Sequence, residues 1–137
     1  MILVDTNVWS EQVKSPGDEV VLAWLEANDA ELALSTLVIA EIHYGIAVAT
    51  TEHKRTALRR WLDGLESRYW SRTLEFDKED AAAYGRIAAL PAARARIPQV
   101  IDMQLAAQAV ARGCSIATRN VRDFEWTGVE LIDPWAG

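Results

Sequence analysis

The opening of the chain, residues 1–9, constrains the fold more than any other stretch. The apolar residues 2–4 are too few for anything except a buried strand, and they lead directly into Asp5, Thr6 and Asn7. A helical pattern follows. In an α/β protein this arrangement delivers a carboxylate to the carboxyl end of a central parallel strand, where such folds bind their ligands. Taken alone, Asp5 is equally well explained as the cap of the next helix.

Composition limits the classes of protein to which the chain can belong. Its 137 residues predict a single domain, 1–137, because domains contain roughly 150 residues. Half of the residues are hydrophobic and a quarter are charged, which predicts a substantial core. The single Cys114 excludes a disulfide framework and a zinc–cysteine site. There is neither a signal peptide nor an apolar run of the ~18 residues that span a bilayer. We therefore expect a cytoplasmic protein with no membrane partner.

The net charge of −6, from 14 basic and 20 acidic residues, argues against an extended electrostatic binding surface for nucleic acid. It does not exclude a local one, because six of the basic residues fall between Lys54 and Arg72. Such a run is more often the solvated face of a helix, and we expect that here.

Apolar spacing predicts short strands that alternate with helices. Strands are predicted at residues 2–4, 31–35, 72–76, 115–117 and 129–132. Helices are predicted at 6–13, 18–28, 37–48, 52–69, 77–90 and 100–111, with a loop or broken helix at 91–98 and a polar loop or single helical turn at 118–124. Short apolar strands favour a parallel sheet that is covered on both faces. We predict a three-layer α/β/α architecture with a central, mainly parallel sheet of about five short strands.

Four acidic residues are expected to meet at one end of this sheet. Asp5 and Asp123 follow strands, whereas Glu41 lies in a helix after a strand. Asp102 lies in the first turn of a helix that leads to a strand, where a favourable interaction with the helix dipole would also explain it. Glu41 interrupts a strongly apolar helix, and a lone carboxylate there is costly unless it is paired or binds a cation.

A cluster of four carboxylates repels itself strongly and therefore persists only around cations. Oxygen ligands without cysteine or a usable histidine favour Mg²⁺ or Mn²⁺ over zinc. A divalent ion in such a cup suits phosphodiester hydrolysis, because it activates water and offsets the charge that grows on the phosphorane oxygens. The sequence contains no Gly-rich phosphate loop, Ser-His-Asp set or dinucleotide-binding fingerprint that would favour another reaction.

Several stretches carry a resemblance to a known family: MILVDTNVWSE at 1–11, the helix that contains Glu41, DMQLAAQAVARG from Asp102, and ATRNVRDFEWTGVELIDPW at 117–135. They resemble PIN-domain ribonucleases, above all the VapC/FitB-like toxins of bacterial toxin–antitoxin pairs. The resemblance runs through the whole chain and implies a PIN-like fold. The positions that match the family's acidic metal-binding residues are Asp5, Glu41, Asp102 and Asp123. Those that match its supporting small polar residues are Thr6, Asn7, Thr118 and Asn120.

The resemblance implies an Mg²⁺-dependent endoribonuclease, usually a homodimer, that is held inactive by a cognate antitoxin whose tail enters the active site. Mn²⁺ is an alternative cofactor, RNA is the substrate, and DNA is contacted only through the antitoxin. One departure from the family stands at Trp126, where Gly often follows the Asp-Phe-Glu motif.

Each acid is expected to have its own role. Asp5 and Asp102 hold the principal Mg²⁺, Glu41 binds it or orients the attacking water, and Asp123 completes the cup. Alternatively, Asn120 takes part of that last role while Asp123 acts through water or only caps the turn. Two further residues, Arg119 and Arg122, are candidates for phosphate contact, although structural salt bridges would explain them equally well.

Three other classes of protein compete with this interpretation. A phosphoryl-accepting signalling domain needs a late lysine, yet all three lysines precede Glu79. A phosphatase of the Asp-x-Asp type needs an acid at position 7, where Asn7 stands. The serious alternative is a PIN-like nucleic-acid-binding regulator with little or no catalysis, which differs in whether metal binds and RNA is cut.

Overall fold

The computed structural model describes residues 1–136 and has a central sheet of five parallel strands. The strand order is β3-β2-β1-β4-β5, and every neighbouring pair is parallel. The strands are β1 (Ile2–Val4), β2 (Leu32–Ser35), β3 (Thr73–Leu74), β4 (Ser115–Ala117) and β5 (Leu131–Ile132). The predicted parallel α/β/α architecture is therefore confirmed. The strands β3 and β5 are shorter than predicted because each lies at an edge and has a hydrogen-bonded neighbour on one side alone.

The helices differ from the predicted ones mainly at two places. They are α1 (Thr6–Trp9), α2 (Glu19–Ala27), α3 (Thr36–Val48), α4 (Glu52–Arg68), α5 (Lys78–Ala88), α6 (Pro91–Arg96), α7 (Val100–Arg112) and α8 (Val121–Phe124). The helix predicted at 6–13 is a single α-helical turn that continues as a 3₁₀ turn, and the segment predicted as a loop or broken helix contains α6. No helix within residues 1–136 is long and apolar enough to cross a membrane.

Polar residues cap the start of several helices. Asp18 caps α2, and Ser35 caps α3 by accepting a hydrogen bond from the Leu37 N–H at 3.1 Å. Asp77 and Asp80 form a capping box at the start of α5. These caps fix where each helix leaves the sheet, and hence where its side chains meet the strand ends.

The sheet separates two hydrophobic cores because successive strand residues point to opposite faces. Val4 packs with α1, α2, α3 and α4 on one face, whereas the preceding Leu3 packs with α5, α6, α7 and α8 on the other. In β2, Leu32 and Leu34 belong to the first core and Ala33 to the second. Both faces of the sheet are therefore covered, which leaves its carboxyl edge as the natural position for polar chemistry.

Candidate active site

Two hydrogen bonds hold the carboxylate of Asp5 at the carboxyl end of β1. Oδ1 accepts one from the Thr6 N–H at 2.8 Å, and Oδ2 accepts one from the Thr118 hydroxyl at 2.9 Å. Asp5 is only 7% exposed. Burial raises its pKa, the two hydrogen bonds lower it, and the charges of Glu41 and Asp123 raise it, with a net upward shift. Asp5 caps α1 and also lines the cavity described below, so its two predicted roles are not exclusive.

The register between β1 and β4 explains why Thr118 reaches Asp5. Val4 lies opposite Ala117 in the parallel ladder, so the residues that follow them are neighbours. The Asp5 N–H continues the ladder by donating to the Ala117 carbonyl at 2.9 Å. Thr118 is fully buried, and its hydroxyl is thereby fixed against the carboxylate.

The two asparagines tie the loop after β4 to α1. The Asn7 side chain donates to the Thr118 hydroxyl at 3.4 Å and accepts from the Arg119 N–H at 3.2 Å. The Asn120 N–H donates to the same hydroxyl at 3.1 Å. The small polar residues singled out from the sequence therefore form one connected set around Asp5.

Glu41 lies in the second turn of α3, and Thr6 satisfies part of its hydrogen-bonding capacity. The Thr6 hydroxyl donates to Glu41 Oε1 at 2.7 Å. Thr6 therefore contacts two acids at once, because its backbone N–H bonds Asp5. The carboxylate in the apolar helix is explained by its position on the cavity wall.

Asp102 lies in the first turn of α7, and its partly buried side chain shares the cavity wall with the other three acids. Burial raises its pKa first, and the charges of Asp5, Asp123 and Glu41 raise it further, to about 6. Its carboxylate accepts no hydrogen bond from any other residue within 1–136 that would offset this shift.

Asp123 occupies the first turn of α8 and is exposed. Its N–H donates to the Asn120 carbonyl at 3.0 Å. Its carbonyl accepts a hydrogen bond from the Trp126 indole at 2.9 Å. This bond holds Trp126, the residue that departs from the family pattern, on the cavity wall next to Asp123.

These elements bring all four acids to one cavity of about 660 Å³. It is also lined by Thr6, Asn7, Ser10, Asn120 and the segment 96–99. None of the four carboxylates forms an ion pair with a basic residue within 1–136. The cavity therefore concentrates negative charge, and the pKa values of Asp5 and Asp102 are raised, first by burial and then by the neighbouring acids.

The donor set suits a divalent cation of the Mg²⁺ type. All four side chains offer carboxylate oxygens, and their mutual repulsion is the kind that a bound cation relieves. Within residues 1–136 no three acidic, histidine or cysteine side chains are grouped tightly enough to enclose an ion. Mg²⁺ keeps several waters and commonly binds through only one or two carboxylates, so an open ring of acids fits it better than a closed cage would.

The basic residues close to Asp123 in sequence lie outside the cavity wall, and their contact with phosphate stays a prediction. Neither Arg119 nor Arg122 lines the cavity; the guanidinium of Arg119 instead lies 4.9 Å from the centre of the Trp135 ring. Arg96 does line it, and sequence reasoning did not select it. The available signal was Pro98, which predicts a break before the helix of Asp102; Arg96, the last residue of α6, stands at that break and lines the cavity.

Comparison with known proteins assigns the class. The family model described as "PIN domain" matches residues 2–128. The chain therefore belongs to the PIN-domain family, as the resemblance in its sequence predicted.

Within that family the chain is similar to toxins of toxin–antitoxin pairs. It is 36% identical to the "VapC ribonuclease Y4jK" of Sinorhizobium fredii over 137 residues, which cover 98% of each chain. It is 31% identical to the "Toxin FitB" of Neisseria gonorrhoeae, over 98% of this chain and 99% of FitB. The structure of FitAB bound to the IR36 DNA fragment matches with a TM-score of 0.88 and 31% identity, over 98% of this chain and 96% of that one. The predicted VapC/FitB-like fold is confirmed.

Proposed function

We propose that the protein is an Mg²⁺-dependent endoribonuclease and the toxin of a VapBC-like toxin–antitoxin pair. The observation that carries the proposal is the cavity that Asp5, Glu41, Asp102 and Asp123 share, in which none of the four forms an ion pair with a basic residue within 1–136. The proposal is also supported by the similarity of the chain to proteins named "VapC ribonuclease Y4jK" and "Toxin FitB".

In this proposal Asp5 and Asp102 hold the ion, Mg²⁺ or alternatively Mn²⁺. Glu41 binds the ion or orients the attacking water, and Asp123 completes the cup or acts through water. A bound Mg²⁺ supplies positive charge that polarises the phosphodiester and favours ionised water. The protein contributes orientation, because the Thr118 and Thr6 hydroxyls hold two of the carboxylates in place through bonds of 2.9 and 2.7 Å.

The same proposal specifies partners and location. A cognate antitoxin inhibits the enzyme, two copies of the chain form a homodimer, and DNA is contacted only through the antitoxin. The enzyme works in the cytoplasm, where its RNA substrate is found. The solved complex of FitAB with DNA supports the antitoxin and its link to DNA by analogy.

The alternative function is a PIN-like nucleic-acid-binding regulator with little or no catalysis, in which the four carboxylates hold no catalytic ion. The two functions differ in whether RNA is cut.

The test is cleavage of total RNA by the purified protein, with Mg²⁺, with EDTA, and with an Asp5→Asn variant. Ribonuclease function predicts discrete fragments that require the metal and disappear in the variant. Intact RNA under all conditions, from protein that is free of bound antitoxin, would favour the regulator. Metal-independent cleavage that survives in Asp5→Asn would show that the carboxylate site is not the active site.

A further inference from the structure

The segment between α6 and α7 forms one wall of the four-carboxylate cavity. Residues 96–99 all line it, immediately before the helix that carries Asp102. Arg96 is the one basic residue among those that line the cavity in the described part of the chain. A single positive charge therefore stands beside four negative ones.

Arg96 is not committed to any acid of the protein. It is exposed, and within residues 1–136 it forms no ion pair, although four carboxylates share its cavity. Arg119 differs, because its guanidinium already lies over the Trp135 ring. Arg94 lies on the same short helix as Arg96 and does not line the cavity.

The next residue, Ile97, has a backbone conformation of high energy, and burial of its side chain does not compensate for that energy. Its φ of 51° and ψ of 59° lie in the left-handed region, which β-branched residues strongly avoid. Pro98 adds a second restriction, since the residue before a proline is driven towards extended conformations. The side chain is nevertheless 87% exposed. Strain of this kind is typical of segments whose geometry serves binding.

We propose that Arg96 binds the RNA phosphate that neighbours the scissile phosphate. In the same proposal, the Ile97 side chain packs against the base next to that phosphate. This inference rests on the proposed ribonuclease function and names the substrate contact of that site. The planar guanidinium presents two parallel N–H groups that match phosphate oxygens, and it offsets the repulsion between RNA and the acids. Apolar side chains can pack against a base that leaves the stack, and the exposed Ile97 offers such a surface.

Binding is measured separately from catalysis. The Asp5→Asn protein, which is expected not to cleave, is titrated with a fluorescein-labelled single-stranded RNA of mixed sequence in Mg²⁺, and anisotropy reports Kd. Adding Arg96→Ala should weaken binding about 10-fold, because a charge-assisted bidentate contact is lost. Arg96→Lys keeps the positive charge but lacks the two parallel N–H groups of the guanidinium. Its Kd should therefore lie between that of the Asp5→Asn parent and that of the Arg96→Ala variant. The matched control is Arg94→Ala, on the same helix, for which less than about a two-fold change is expected.

The salt dependence gives an independent readout. Loss of one phosphate contact should reduce the slope of log K against log salt by about 0.7 for single-stranded RNA in Arg96→Ala. The slope of Arg94→Ala should stay close to that of the parent. In the protein that retains Asp5, Arg96→Ala should raise KM with little change in kcat, since the contact binds ground state and transition state alike.

Equal Kd values for Arg96→Ala and Arg94→Ala would overturn the proposal, and so would the absence of any RNA binding. Unchanged RNA affinity together with weakened binding of a co-expressed antitoxin would overturn it in favour of a protein contact. Failure of the ribonuclease function is a separate result: the protein with all four acids would leave RNA intact, while anisotropy would still report whether Arg96 contributes to binding. Both arginines are exposed, so the variants are expected to keep the parent's thermal midpoint.

Discussion

Replacing Asp102 with Asn should stabilise the metal-free protein at neutral pH. Its pKa is about 6 in the folded protein against 3.8 ordinarily, so ionising it costs folding free energy. A shift of about 2 units corresponds to about 3 kcal/mol, which we reduce to about 1–2 kcal/mol because Asp102 is partly exposed and water screens its charge. For a chain of this size that equals about 4 °C in the midpoint of thermal unfolding.

The sign of the effect depends on pH. Because the pKa of Asp102 is raised on folding, the folded state holds the proton more tightly, and the parent loses stability as pH rises through the window from 3.8 to about 6. The advantage of Asp102→Asn should be complete above about pH 6 and absent below about pH 4. Thermal unfolding in EDTA at about pH 7.5 and about pH 3.5 measures both limits.

Mg²⁺ provides the second half of the experiment. It should raise the midpoint of the parent, since binding to the folded state alone adds stability, and should do so much less in Asp102→Asn. Asp63→Asn is the matched control, because Asp63 is an exposed acid of α4 that does not line the cavity. If Asp102→Asn were no more stable than the parent at neutral pH in EDTA, ionising a partly buried Asp102 beside the other three acids would not carry the cost that we infer.

Other substitutions test the same structure. Thr118→Val removes the hydroxyl that bonds Asp5; it should lower the free energy of unfolding by about 1–3 kcal/mol and, in calorimetric titration, weaken Mg²⁺ binding about 10–100-fold. Ile97→Gly should raise the urea midpoint by the equivalent of about 0.5–1 kcal/mol, because left-handed strain is relieved and no buried surface is lost. Arg112→Ala leaves the fully buried Asp80 without its cationic partner at 3.1 Å and should cost about 3 kcal/mol in urea unfolding.

Each of these has a control and a contrary outcome. Thr118→Ser keeps the hydroxyl and should retain most Mg²⁺ affinity; equal losses in both variants would assign the effect to packing instead. A lower urea midpoint for Ile97→Gly would mean that the left-handed backbone is not strained. The control for Arg112→Ala is Arg86→Ala, an exposed arginine of α5 that makes no ion pair within residues 1–136, and matching losses in the two would refute the role of the Asp80 pair.

The local pattern was sufficient to predict the central strands and the acids at their ends. The strands at 2–4 and 115–117 are short, and each ends in apolar residues that are followed by a polar one, so their pairing brings Asp5 and Thr118 together. The lone acid in the apolar helix likewise indicated that Glu41 serves a site. These signals are local in the sequence. Side chains alternate between the two faces of a strand, so the position at which a strand ends determines where the next side chain lies.

Other features depend on tertiary contacts that the sequence does not display. The lengths of β3 and β5 follow from their edge positions in the sheet, which periodicity cannot reveal. Arg119 and Arg122 lie close to Asp123 in sequence, yet neither lines the cavity, whereas Arg96 reaches it from another segment. The left-handed conformation of Ile97 is also invisible in the sequence, since its neighbours would suggest an extended residue before Pro98.

The bond between Thr118 and Asp5 joins residues that are 113 positions apart. A nascent polypeptide emerging from the ribosome presents Asp5 early, but it lacks the hydroxyl that fixes this carboxylate until Thr118 has been synthesised and β4 has docked beside β1. The acids at positions 102 and 123 are also translated late. A fragment that ends before position 118 therefore lacks the hydroxyl that fixes Asp5, and the four-carboxylate cavity cannot assemble until nearly the whole chain has been synthesised.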